Sequence, residues 1–356
     1  MRIECPKCLR VSSISGDYVV TQKRALEHSC PKCKTDIYIQ LALPAESERD
    51  LDHGSAADVR ETRMISPVAE DEEGSKILSL KSKILRSLVE LPPMPNIILK
   101  ARQIMEDPGS SLKDLAAVIE HDQAIVARVL ALANSAYYGL SGLVSSIQHA
   151  SILLGQRTLG ELITIAASSR LLSQKLKGYQ LNPGDLWKHS LAVALGSKFI
   201  AEKKNNLRVE DAFIAGLLHD AGKIILDPYL IEHSQVFKKH LNGGQQKTFE
   251  AEKKILGFDH AEVMSRAARF WRYPKDETTA IRYHHYPMLA GDCELAYIVH
   301  LADFAAHEAG FNSGHTSRMR EVDPQALSRL GFRQTELNAV IEHITAAVEQ
   351  LATELQ

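Results

Sequence analysis

The residues that could carry chemistry centre on Gly216-Leu217-Leu218-His219-Asp220-Ala221-Gly222-Lys223. There an apolar helix delivers a histidine beside an aspartate, then ends at a glycine followed by a lysine. Imidazole and carboxylate together suit a borderline divalent cation, and an aspartate can bridge two ions. A histidine satisfied in the core beside a capping aspartate would read the same way, so the pair needs company. His189 lies in Leu186-Trp187-Lys188-His189-Ser190, and His260 in Phe258-Asp259-His260-Ala261-Glu262. His284 and His285 end an apolar helix, and Asp303 sits between apolar neighbours in Leu301-Ala302-Asp303-Phe304. Ionisable side chains buried at such positions are costly unless they pair with one another or with a metal.

A second chemical signal opens the chain. Cys5-Pro6-Lys7-Cys8 is followed, after 21 residues, by Cys30-Pro31-Lys32-Cys33, which leaves Cys293 alone. Two such knuckles on short hairpins can gather four thiolates around zinc, and a core this small could hardly fold without a staple. The expectation is a structural zinc ribbon over residues 1–43, with Cys5, Cys8, Cys30 and Cys33 as ligands and β-prone stretches around them. Redox dithiols and unligated surface cysteines are the other readings of the pattern.

The elements that must position these residues are helical. From Ile77 apolar positions recur at helical spacing: Ile84, Leu85, Leu88 and Leu91, then Ile97, Ile98, Ala101, Ile104 and Met105. Proline and glycine runs punctuate them, and Ser110 or Ser111 can cap the next helix. Further stripes run from Val144 to Leu154 and on beyond Gly155. Helices are expected over 186–201, 209–218, 260–270, 277–284 and 293–309, with a last amphipathic one over 336–351. Residues 44–76 differ: ten acidic against four basic residues and few aliphatics make an acidic flexible linker. The expected organisation is therefore 1–43 ribbon, 44–76 linker, 77–309 main domain (77–180 helical bundle, 181–309 second half) and 310–356 C-terminal helical extension.

Composition sets outer bounds. The 356 residues are 45% hydrophobic and 24% charged, with a formal net charge of -2. No basic field favours a nucleic-acid surface, so contact of the ribbon with nucleic acid is the least favoured of the partner readings. No apolar run approaches the roughly 20 residues that span a bilayer, and the first residues are no signal peptide. A cytoplasmic protein without a membrane partner is the expectation; the oligomeric state is left open.

Several motifs, in order, resemble the HDOD family, the HD-related output domains of bacterial signalling proteins. They are Leu91-Pro92-Pro93-Met94-Pro95-Asn96-Ile97, the segment 132–139, Ile152-Leu153-Leu154-Gly155, Leu186 to Ser190, Gly216 to Lys223, Leu256 to Ala261 and Ile281 to His285. The resemblance covers roughly 80–309 and implies an all-α HD-superfamily domain with an N-terminal helical bundle. Many family members are thought to lack metal ligands. This sequence instead resembles catalytic HD phosphohydrolases at His189, His219, Asp220 and Asp303, and the HD-GYP cyclic di-GMP phosphodiesterases at His260, His284 and His285. Asp185, one turn before His189, stands where some of those enzymes carry an extra acidic ligand. The resemblance implies two divalent ions, iron or manganese before zinc, with Asp220 bridging them.

Two readings follow. In the first, a regulatory output protein uses its metal-binding domain to engage signalling proteins or a nucleotide messenger. In the second, a metal-dependent phosphohydrolase lowers the pKa of a bound water, with Asp220 and Lys223 as the catalytic residues. Two absences weigh against the second. After His285 the sequence Tyr286-Pro287-Met288-Leu289 lacks the Gly-Tyr-Pro segment of the cyclic di-GMP enzymes. Arg266, Arg269, Arg272 and Arg282 offer only a loose phosphate clamp. Whether the protein is an enzyme stays open at this stage; the regulatory role is preferred.

Overall fold

A computed structural model describes residues 2–4, 11–13, 25–29, 36–40, 72–90, 96–107, 109–204, 208–241, 246–314 and 322–355. The chain divides into two compact units, Met1–Ser66 and Pro67–Gln356. In the first unit β1 (Arg2–Glu4) pairs antiparallel with β2 (Val11–Ser13), and β3 (Ala25–Ser29) with β4 (Asp36–Gln40). These are two separate two-stranded ladders. The expected zinc ribbon is corrected here. A ribbon needs four thiolates on one ion, and the described residues hold a single cysteine, Cys293. Cys5, Cys8, Cys30 and Cys33 lie outside the described residues. The fold class that stands is the all-α domain, with no zinc-ribbon sheet assigned before it.

The second unit is built of helices, with no named strand among its described residues. Its first part holds α1 (Glu72–Glu90), α2 (Asn96–Glu106), α3 (Leu112–Ala117), α4 (Gln123–Ala133) and α5 (Ile147–Leu172). The motif stretch 91–95 lies outside the described residues. Local chemistry sets the starts. Ser111 and Asp114 exchange a capping box at α3, the Asp122 carboxylate takes two backbone N–H groups at α4, and the Ser146 hydroxyl takes that of His149 at α5. Gly155, at φ 78°, kinks α5 into two helical segments. Ile84, Ile98, Leu115, Val129 and Leu159 are fully buried along this part.

Next come α6 (Asp185–Lys203), α7 (Val209–Leu218), α8 (Gly222–Glu232), α9 (Ser234–Leu241), α10 (Thr248–Leu256), α11 (His260–Phe270), α12 (Lys275–Tyr283) and α13 (Glu294–Glu308). Two more follow, α14 (Pro324–Leu330) and α15 (Gln334–Ala352). Helix α6 lies at the centre, packed by α5, α7, α13 and α15. It is buried on nearly every face, from Leu186 to Ala201, as a helix wrapped by neighbours must be. The apolar stripe of α15, Leu337, Val340, Ile344, Val348 and Leu351, is spent on packing. No helix among the described residues is long and apolar enough to cross a membrane.

Candidate metal centre

Five elements bring the sequence-predicted residues together. His189 comes from the second turn of α6, His219 caps the C-terminus of α7, and Asp220 lies between α7 and α8. His260 begins α11, His284 caps α12 with His285 next to it, and Asp303 lies within α13. Gly222 allows the junction: a Cβ there would run into the His260 carbonyl, so only glycine lets α8 start against the start of α11. His189, His219 and His284 are fully buried, and Asp220, His260 and Asp303 nearly so.

The hydrogen bonds fix the tautomers. His189 Nδ1 donates to the Phe311 carbonyl at 2.9 Å, His219 Nδ1 to the Gly216 carbonyl at 2.6 Å, and His284 Nδ1 to the Ile281 carbonyl at 2.8 Å. A carbonyl can only accept, so each of these imidazoles carries its proton on Nδ1 and turns an Nε2 lone pair inward. His260 Nδ1 donates to the Glu252 carboxylate at 2.7 Å, and Tyr179 holds that carboxylate with its hydroxyl at 2.9 Å. Orientation of a ligand histidine by a carbonyl or carboxylate behind it is how proteins prepare metal sites.

The inward atoms crowd one another. His189 Nε2 lies 3.1 Å from His219 Nε2, 3.3 Å from Asp303 Oδ1 and 3.4 Å from Asp220 Oδ2. His219 Nε2 lies 3.6 Å from Asp220 Oδ2 and 3.8 Å from Asp303 Oδ1. His260 Nε2 is 2.9 Å from both Asp220 Oδ1 and His285 Nε2. Four ligands at bond lengths of about 2.1 Å around a tetrahedral ion stand about 3.4 Å apart, close to these spacings. His284 Nε2 is fully buried and has no hydrogen-bond partner. An orphaned lone pair beside this donor set is what a cation-binding cluster would present. The residues fit a divalent metal.

Electrostatics agree with that reading. Burial lowers His219 to about 4 despite the pull of Asp220 and Asp303. Burial, with His219 and His260 nearby, pushes His284 well below its ordinary value. Both are thus neutral ligands at pH 7. At His260 burial is outweighed by Glu252 and Asp220, which raise it to about 9. The same carboxylate field that draws a proton there would hold a metal cation. Burial would raise Asp220, but Lys223, His219 and His260 hold its carboxyl well below the usual range.

Some expected residues are placed otherwise. Asp185 sits at the first turn of α6 and turns back to accept the Asn182 N–H at 2.8 Å, and it is in none of the groups able to hold an ion. The Lys223 ammonium is buried and fully engaged, donating to Asp220 Oδ2 at 2.6 Å and to the Ser313 carbonyl and hydroxyl at 2.8 Å each. Among the arginines, Arg282 pairs with Asp259 and Glu262, and Arg266 with Glu262. The structure adds residues that the sequence did not single out: Glu252, Tyr179, Ser313 and His307. Of these only His307 left a signal, standing four residues after Asp303 on one helix.

The metal expectation is corrected as a whole. Among the described residues there is no cysteine cluster to take zinc; the groups able to hold an ion are built of histidine and aspartate. These are His260/His284/His285, His189/His219/Asp220, His189/Asp303/His307 and His219/His284/Asp303. Three of them share members, and His284 joins the remaining one to the rest. The donors therefore form one continuous cluster, which assigns neither two separate ions nor iron or manganese.

An all-α domain with a buried His/Asp cluster drawn from five helices, able to hold a cation, defines the class. The family model described as HDOD domain matches residues 91–287, more than half of the chain, and the chain belongs to that family. It is a bacterial signalling output domain with His/Asp clusters suited to a metal. A solved HDOD domain protein of unknown function from Geobacter sulfurreducens is 27% identical, with a TM-score of 0.67 over 78% of this chain and 99% of that one. A candidate phosphohydrolase from Shewanella amazonensis shares the fold at 23% identity and a TM-score of 0.60, over 77% of this chain and 98% of that one. An uncharacterized protein of Treponema pallidum is 24% identical over 63% of this chain; the chain spans less than half of that relative, 43%.

Proposed function

We propose that this protein is a signalling output module whose HD-type cluster takes a divalent cation, and that the loaded domain engages protein partners or a nucleotide messenger. The observation that carries the reading is the convergence of imidazole Nε2 atoms, each ring anchored behind through Nδ1, on the carboxylates of Asp220 and Asp303. Ligands come from α6, α7, α11, α12 and α13, so a bound ion would tie these helices together. In this reading Lys223 positions Asp220, because its three bonds leave it no donor for a substrate phosphate. Partners of the signalling type agree with the family; the choice between protein and messenger is part of the proposal.

A second reading is favoured by one observation. His285 and His307 are only partly buried, so the cluster has an edge that water and a phosphoester could reach. A bound divalent ion would supply Lewis acidity and lower the pKa of a water there. The candidate phosphohydrolase from Shewanella amazonensis points the same way by name, while the arginines near His260 are already paired with carboxylates.

The test is metal content of the full chain purified under reducing, low-oxygen conditions, beside Asp220→Ala. Phosphoester turnover is assayed with cyclic dinucleotides, nucleotides and a generic phosphodiester. Metal in the wild type, its loss in the variant and no turnover support the output reading. Turnover that vanishes with Asp220→Ala establishes the hydrolase instead. A wild type that takes up no divalent metal under any of these conditions sinks both.

A further inference from the structure

Helix α13 carries an inward-facing imidazole one turn beyond Asp303. His307 Nε2 lies 3.4 Å from Asp303 Oδ1, and its ring centre is 4.8 Å from that of His189. Its Nδ1 faces Asn312 Oδ1 at 3.1 Å, while the Asn312 amide N–H₂ donates to the Gly310 carbonyl at 3.3 Å. That second bond turns the amide oxygen towards His307, so Nδ1 carries the proton and Nε2 carries the lone pair. A lone pair and a carboxylate oxygen would then face one another across 3.4 Å, as they do between His189 and Asp303 at 3.3 Å.

The loop after α13 treats His307 as it treats the rest of the cluster. Three successive residues act on it: the Phe311 carbonyl fixes His189, the Asn312 amide fixes His307, and Ser313 fixes Lys223, which in turn holds Asp220. Three inward atoms, from His189, His219 and His307, stand 3.3 to 3.8 Å from the single oxygen Asp303 Oδ1.

We propose that His307 is a further metal ligand, which with His189 and Asp303 forms a face of the cluster that closes on a divalent cation. This rests on the reading of the cluster as a metal centre. The remaining role for His307, an imidazolium paired with Asp303, makes the opposite prediction, since its removal would free a carboxylate and leave metal binding intact or tighter.

The test is titration of the full chain with Co²⁺ alone, read by its visible ligand-field absorption and by equilibrium affinity. His307→Ala should weaken binding about 10- to 100-fold, the scale set even by outer partners of a metal site, and should change the spectrum. Added imidazole should restore it. Asn312→Ala keeps the ring and removes its clamp at an exposed position; it should weaken binding less, without loss of folding. If His307→Ala fails to fold, His307→Leu keeps the packing volume and serves in its place. Wild-type affinity and spectrum in the folded His307 variant overturn the assignment while leaving the metal centre standing. A wild type that takes up no Co²⁺ overturns the metal reading itself, and this inference with it.

Discussion

Helices α7 and α12 each have a buried polar group at both ends, and the two ends differ. At their starts, Asp211 and Glu277 face the guanidinium of Arg102 from α2, which donates to Asp211 Oδ1 at 2.7 Å and also to Glu277 Oε1. At their finishes, His219 and His284 each fold back to donate to the carbonyl three residues earlier and aim Nε2 into the cluster. The first group carries its own cation. The second gathers carboxylates and lone pairs around a single lysine that is already engaged with Asp220 and Ser313. Buried charge is costly unless compensated, so the first cluster reads as architecture and the second as a site. Each helix is thereby a strut between the two.

The comparison breaks most sharply at Asp220. Its carboxylate meets His189, His260 and Lys223 at once. Asp220→Ala should abolish metal uptake. A chelator should lower the melting temperature of the wild type but not of the variant, because a ligand that binds only the folded state stabilises it by mass action. Equal chelator sensitivity in both would show that the ion sits elsewhere.

At the other ends of the same helices, Arg102→Met removes the buried cation and strands Glu277, leaving Asp211 only its pair with the exposed Arg208 at 2.5 Å. Breaking a buried pair in this way costs about 3–5 kcal/mol, measured by denaturant unfolding. The difference from Asp220→Ala lies in the signature: the loss should be the same with and without metal. If Arg102→Met also empties the metal site, the struts transmit the damage and the two ends are not independent.

Gly222→Ala tests the junction between them. The added methyl meets the His260 carbonyl, and overpacking of this kind costs about 1–3 kcal/mol. Because the displaced residue is His260, metal affinity should fall together with stability. A stability loss with unchanged affinity would mean that α8 moves rather than α11.

These residues also mark how far the sequence could be read. His189, His219, Asp220, His260, His284, His285 and Asp303 were legible, since an ionisable residue on an apolar helix face announces itself. Asp185 shared that spacing, and its carboxylate reaches back to accept the N–H of Asn182 in the preceding turn. Glu252, Tyr179 and Ser313 reach the cluster only through tertiary folding. Among the helices, α8 was missed because Pro228 interrupts its pattern, and α9, α10 and α14 because eight, nine and seven residues make too short a period to see. The Cys-x-x-Cys pairs read as a zinc ribbon from spacing alone, and the correction came from the described residues, whose metal-capable groups are all histidine and aspartate.

The smallest effect is one of pH, and it isolates the Arg102 end. Burial, only partly offset by Arg102, pushes Glu277 up to about 8 from an ordinary 4.5. Below pH 4.5 the group is protonated in both folded and unfolded chains and makes no difference between them. As pH rises from 4.5 to 8 the unfolded chain ionises while the folded one resists, so stability falls across that window and levels off above it. His260, raised to about 9, contributes a slope of the same sign, so wild type and variant must be compared at each pH. Glu277→Gln mimics the protonated form and still accepts from Arg102. It should match the wild type at low pH and exceed it above pH 8 by about 1–2 kcal/mol, roughly 3–6 °C in melting temperature. Equal melting curves at every pH would show that Glu277 stays ionised against Arg102, with Asp211 held by Arg208 as well.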